Sequence, residues 1–145
     1  MLVSALEGPP AAHADSLARA LLAAHAAALV EFRTRDPALV TEAGPCPIAS
    51  PLARLQAREG TVVTNLLGTG VKLEGSLARE LLLRLDGSRD RTALVRDLGA
   101  LVTSGAVTLS EAGAPIRDPD RATERLGAGL NEKLRQLGIM ALLIG

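Results

Sequence analysis

The amino-acid sequence predicts an α+β fold, and three observations carry the prediction. Leucines recur at helical spacing in Leu77, Leu81, Leu82 and Leu85, and again in Leu94, Leu98, Leu101 and Val102, which sets each group on one face of a helix. Asp86-Gly87 stands between the two groups, a pair suited to a tight turn. Short segments rich in β-formers, Thr61–Leu66, Val71–Leu73 and Ala106–Leu109, flank these helices. The order strand, helix, tight turn, helix, strand is that of a winged-helix-like domain with a small antiparallel sheet. The 145 residues fit a single such domain over 15–145, behind a mobile lead-in at 1–14 that is rich in Ala, Gly and Pro.

Taken in order, Asp15 or Ser16 caps an additional N-terminal helix that runs to about Leu29. Its apolar face carries Leu17, Leu21, Leu22, His25, Ala28 and Leu29, and the other side is mostly Ala. A helix apolar nearly all round wants partners on two sides. Val30–Thr34 alternates and predicts a short strand, which Asp36-Pro37 stops. Cys46 lies between Pro45 and Pro47, in an irregular loop where it is expected to be buried or half-buried. Ser50-Pro51 starts a short helix, with Ser at the N-cap, Pro at N1, Leu52 and Leu55 inward, and an end before Gly60. Ser76 caps the helix over Leu77–Leu85. Gly87 suits the left-handed position that follows it. Asp90 caps the next helix, which Gly105 closes. Asp118-Pro119 repeats the cap-then-Pro signal for a last helix to about Gln136. Gly127 and Gly129 weaken that helix by about 1 kcal/mol each relative to Ala, and leave room for a neighbour to come close. Gly138 ends it. The apolar run Ile139–Ile144 reads as a final strand, with Val107–Leu109 as its expected partner.

Composition excludes several function classes. Hydrophobic residues make up 48% of the chain, yet there is one Phe and neither Trp nor Tyr. Leu, Val and Ala must therefore fill the core, and the stacking platforms that single-stranded nucleic acids use are missing. Sixteen basic residues balance sixteen acidic ones, so the basic excess of a nucleic-acid binder is absent too. The lone cysteine excludes an internal disulfide and a Cys-based zinc site. Neither a secretory leader nor a run of about 18 apolar residues is found. Cytoplasmic location is the expectation.

No motif carries chemistry. His13 and His25 are twelve residues apart, about 18 Å along a helix, with no third ligand nearby. Cys46 has no neighbouring base to make it a nucleophile. Gly68 and Gly70 lack the third glycine of a dinucleotide-binding turn, because Leu73 occupies that place. Glu74, Glu80, Asp86 and Asp90 read as caps and solvated charges. The helix after Asp90 offers Thr92, Arg96 and Asp97 to a DNA groove, and Asp97 would repel phosphate. Catalytic, cofactor-binding and metal-ligating residues are thus none, and no cofactor is expected. The residues expected to make protein contacts are Leu17, Leu21, Leu22, Leu29 and Cys46, the helix also offering a surface for a homodimer.

Four stretches bear a family resemblance: Pro47-Ile48-Ala49-Ser50-Pro51-Leu52-Ala53-Arg54-Leu55-Gln56-Ala57, Val63-Thr64-Asn65-Leu66, Val71-Lys72-Leu73, and Leu85-Asp86-Gly87-Ser88-Arg89-Asp90-Arg91-Thr92-Ala93-Leu94. In order and spacing the chain resembles, from about Val30 to Gly145, the C-terminal winged-helix-like region of bacterial methyltransferase regulatory domain proteins. These are similar to the rickettsial-type outer-membrane-protein lysine methyltransferases. In that family a catalytic domain that binds S-adenosylmethionine precedes this region. This sequence has neither the room nor the glycine-rich loop for it, so no catalytic residue carries over. The resemblance implies a non-catalytic accessory or regulatory role toward a methyltransferase domain or its protein substrate. The reading from another class is a winged-helix DNA-binding regulator.

Overall fold

The computed structural model describes residues 10–34, 36–111 and 113–145. The chain divides into one unit ending at Asp36 and another spanning Pro37–Gly145. Of the lead-in, residues 1–9 lie outside the described residues, and Pro10–Ala14 is helical.

The first unit is a helix with a folded-back end. Helix α1 spans Pro10–Ala26, so it starts before Asp15 and stops before Leu29. Ala28, at φ 56°, turns the chain. Leu29 N then donates to Ala24 O at 2.9 Å. The expected strand at Val30–Thr34 does not form. Instead His25 Nδ1 donates to Val30 O at 3.0 Å, and the Phe32 ring lies 5.0 Å from the His25 ring. The segment spends its carbonyl and its one aromatic ring on the helix end.

In the second unit the local start signals set three helices. Ser50 caps α2 (Pro51–Glu59), its Oγ accepting from Ala53 N, with Pro51 in the first turn. Asp90 caps α4 (Arg91–Thr103) by accepting from Ala93 N. Asp118 caps α5 (Pro119–Ile139) by accepting from Arg121 N. Each cap satisfies a donor that the first helical turn leaves without a partner. Helix α3 (Gly75–Arg84) departs from expectation: Glu74 holds the cap position without a side-chain bond, and Ser76 lies inside the helix.

Six short strands pair in three antiparallel couples among the described residues: β1 (Ile48–Ala49) with β6 (Leu143–Ile144), β2 (Val62–Thr64) with β3 (Gly70–Lys72), and β4 (Ser110–Glu111) with β5 (Ala114–Pro115). The registers are Ile48↔Ile144, Val63↔Val71 and Glu111↔Ala114. Val107–Leu109 is not a strand, and the terminal strand pairs with β1 rather than with it. Helix α5 continues through Gly138 to Ile139, which leaves only Leu143 and Ile144 for the strand. The result is α+β, with five helices and small antiparallel couples among the described residues, as expected for a winged-helix-like domain with an N-terminal helix.

The core is aliphatic. Val63, Leu81, Leu82, Leu85, Leu94, Leu98, Leu134, Leu142 and Leu143 are fully buried, each contributing about 1.5–3 kcal/mol. Helix α2 corrects an expectation: Ala53 and Ala57 face inward, while Leu52 and Leu55 are 51% and 57% exposed. Alanines on the inner face let α2 lie close against β2 and α3, and turn the leucines at i and i+3 to the opposite side.

Two glycines have backbone reasons. Gly87 sits at φ 83°, and a Cβ there would lie 2.9 Å from Ile48 Cγ1. A Cβ at Gly138 would strike the Thr41 carbonyl. By contrast, Gly127 and Gly129 have nothing within 4 Å of that position, so no neighbour uses the room they leave.

Candidate functional site

The resemblance-bearing stretches meet one another, and their polar side chains hold the scaffold. Gln56 Nε2 donates to Thr64 Oγ1 at 3.1 Å, and its Oε1 accepts from Thr64 N at 2.6 Å. One amide thus ties α2 to β2 in both directions. Asn65 Oδ1 accepts from Leu67 N (3.0 Å) and Thr69 N (2.9 Å), shaping the β2–β3 turn. Its Nδ2 donates to Met140 O at 3.1 Å, and Leu66 N to Ala141 O at 2.9 Å. The hairpin is thereby docked on the end of α5, where the last carbonyls need donors.

The Asp86-Gly87-Ser88-Arg89 turn is an ionic clasp. Asp86 Oδ1 accepts from Ser88 N at 3.0 Å and from Ser88 Oγ, and Oδ2 pairs with Arg89 Nη1 at 3.0 Å. Arg89 Nε then reaches Asp97 Oδ2 at 2.9 Å, and Arg96 holds Asp97 Oδ1 at 3.1 Å. The Ser88 hydroxyl, then its backbone N–H, then Arg89 hold the Asp86 carboxyl down at about 2. Hydrogen bonds from Arg89 and then Arg96 lower Asp97 as well, and Asp97 and Asp86 raise Arg89. Hydrogen bonds between neighbours, with a smaller share from charge attraction, set these shifts against burial.

The cations at the start of α4 are therefore committed. Arg89 and Arg96 hold carboxylates. Arg91 donates to Ala43 O, Gly44 O and Asn131 Oδ1, each at 2.9 Å, fastening the 43–44 loop to both α4 and α5. A groove of about 1010 Å³ opens between α4 and α5, with Val95, Gly99, Gly127 and Leu130 among its walls.

The residues expected to make protein contacts are surface residues within their units. On α1, Leu17 and Leu22 are 60% and 61% exposed and Leu21 is also exposed; Leu29 lies beyond the helix and is exposed too. These belong to the first unit and Cys46 to the second. Cys46 is exposed, not half-buried. Pro47 is the residue of that loop that goes inside, and its carbonyl accepts from Gly87 N at 3.2 Å. Sequence reasoning missed Leu52 and Leu55; their i, i+3 spacing was visible, but not which face of α2 the alanines would claim. Among the described residues no group of three or more His, Cys, Asp or Glu is placed to hold a metal, and no helix is long and apolar enough to cross a membrane.

With this geometry, the comparisons are specific. The family described as "PKMT, C-terminal winged helix domain" matches residues 46–142, which include β1 through β5 and α2 through α5. Two solved structures of PKMT2 from Rickettsia typhi, one in complex with AdoHcy, share the fold at TM-score 0.73, with 17% and 18% identity. The likeness covers 96% and 97% of this chain but 29% and 28% of theirs, so this chain spans under a third of PKMT2. No curated protein matches it. The matched family is the winged helix domain and not a catalytic one. The α+β scaffold and the family match lead to one conclusion: this chain belongs to the C-terminal winged helix domains of the protein lysine methyltransferase family.

Proposed function

We propose that the chain is a non-catalytic accessory domain of a protein methyltransferase system, acting in the cytoplasm by contact with the methyltransferase domain or its protein substrate. One observation carries the reading: aliphatic side chains stand in solvent on two helices, Leu17, Leu21 and Leu22 on α1 and Leu52 and Leu55 on α2. Each set recurs at helical spacing, so each makes a stripe, and apolar stripes on a small domain mark contact surfaces. The membership in a domain family that accompanies methyltransferases supplies the class of partner. The DNA-binding alternative has less support, since Arg89, Arg91 and Arg96 all hold carboxylates or carbonyls within the domain.

Calorimetric titration of the full chain against a purified methyltransferase domain of this family tests the reading. Saturable binding is expected, weakened by Leu52→Glu with Leu55→Glu or by Leu17→Glu with Leu22→Glu. Binding to neither that domain nor a candidate substrate protein refutes it. Binding to duplex DNA with a steep salt dependence would put the regulator in its place.

A further inference from the structure

The chain has two lysines, Lys72 and Lys133, and both line the same pocket, of about 320 Å³, over Leu73, Leu81 and Leu137. A smaller pocket of about 130 Å³ adjoins it, sharing Ala78, Leu81 and Lys133, with Arg125 at its rim. The two make one groove between α3 and α5. Seven arginines elsewhere in the chain, Arg33, Arg79, Arg84, Arg89, Arg96, Arg121 and Arg135, each meet a carboxylate. Lys72 and Arg125 form no ion pair among the described residues, and Lys133 donates to Gln136 Oε1 at 3.4 Å, its charge attracting the adjacent Glu132 without an ion-pair contact. The groove thus has an apolar floor and three cations outside these ion pairs against one carboxylate, Glu74.

Its dimensions constrain an occupant. A dry cavity of about 150 Å³ holds benzene, so 130 Å³ takes one branched aliphatic side chain. Arg125, Gly129 and Lys133 fall at i, i+4 and i+8 on α5, so the two cations stand about 12 Å apart along the helix. Gly129 lies between them, with nothing within 4 Å of where a Cβ would be. An extended chain covers that distance in about four residues and turns alternate side chains to one side.

We propose that this groove binds an extended acidic segment of a partner protein, in the pattern acidic, any, aliphatic, any, acidic. The aliphatic side chain enters over Gly129, and the two carboxylates meet Arg125 and Lys133. The inference deepens the accessory reading and rests on it, but it uses residues other than those of the α1 and α2 stripes.

The test is fluorescence anisotropy of the full chain with a labelled peptide of core Glu-Ser-Leu-Ser-Glu. Saturable binding is expected, weakening as salt rises. It should fall about fivefold or more when the peptide's acids become lysines, when its Leu becomes Ser, or in the variant Lys133→Glu. That variant should bind the lysine peptide better than the parent chain does. Gly129→Leu should abolish the preference for Leu, circular dichroism confirming the fold; the surface variant Lys133→Glu decides the matter if Gly129→Leu misfolds. Binding indifferent to peptide charge or to Lys133→Glu overturns the proposal, as does binding to phosphatidylserine vesicles but not to the peptide. If the peptide fails while the methyltransferase domain still binds, this inference falls and the accessory reading stands.

Discussion

Two glycines of α5 should respond with opposite signs to the same substitution. At Gly127 an added methyl meets nothing within 4 Å, so Gly127→Ala changes only the backbone preference of a helix interior. It should stabilise the domain by about 1 kcal/mol, or about 3–5 °C in melting temperature for a domain of this size. At Gly138 the methyl would run into the Thr41 carbonyl. The obstacle is backbone, not the tip of a flexible side chain, so either α5 or the 39–44 segment must shift. Overpacking against three backbone atoms of Thr41 falls at the upper end of the usual cost, about 2–3 kcal/mol. The helix preference offsets part of it, which leaves Gly138→Ala destabilised by about 1–2 kcal/mol. Urea unfolding of both variants and the parent, read by circular dichroism, measures the difference as shifts in midpoint at constant slope. A destabilised Gly127→Ala would mean that the α4–α5 groove is closed around residue 127. A neutral Gly138→Ala would mean that the segment through Thr41 does not rest on α5. Either result refutes the packing argument.

Further predictions follow from the polar clasps. Asn65→Ala removes two acceptor contacts within the hairpin turn and the donor to Met140 O; it should cost about 2–3 kcal/mol, with amides of β2 and β3 exchanging faster with deuterium. The lowered Asp86 carboxyl gives stability that is full above the unfolded carboxyl's ordinary value near 4 and is lost as pH falls toward about 2. The carboxyl is partly open to solvent, so the amount is under about 1 kcal/mol. Asp86→Asn should accordingly trail the parent at pH 6 and converge with it near pH 2 in urea midpoints. Leu52→Ser should change stability by less than about 0.5 kcal/mol, because the side chain is exposed; a loss of several kcal/mol would show it to be core after all.

What the sequence made legible was local. Ser50, Asp90 and Asp118 cap their helices because a cap involves residues three apart and little else. The leucine spacing of α3, α4 and α5 survived because those faces are long enough to leave one side apolar. Helix α2 was misread because it has apolar residues on two sides, and the smaller ones won the inner face. Strand pairing was hidden for another reason: β1 and β6 are far apart in sequence, and two-residue strands carry no alternation to read. Val30–Thr34 had strand composition, but its carbonyl and ring were taken by His25. The apolar stripe on α1 was legible, since its leucines needed only helical spacing. The α3–α5 groove was not, because it joins Lys72 of β3 to Arg125 and Lys133 of α5, more than fifty residues further along the chain.

The seam between β1 and β6 also has a kinetic meaning. Ile48 and Ile144 pair across almost the whole length of the second unit. The same seam takes in Leu39, bridged to Ile144, and Ser50 N, which donates to Leu142 O at 2.9 Å. Closing so long a loop is entropically the most demanding contact in the fold. The α2–β2–β3 and α4–α5 pieces need only near neighbours and can assemble beforehand. Seam formation should therefore come last on the folding path. In native-state exchange, the amides of Val40 and Ser50, which donate to Leu143 O and Leu142 O, would then report the opening of the seam as one event.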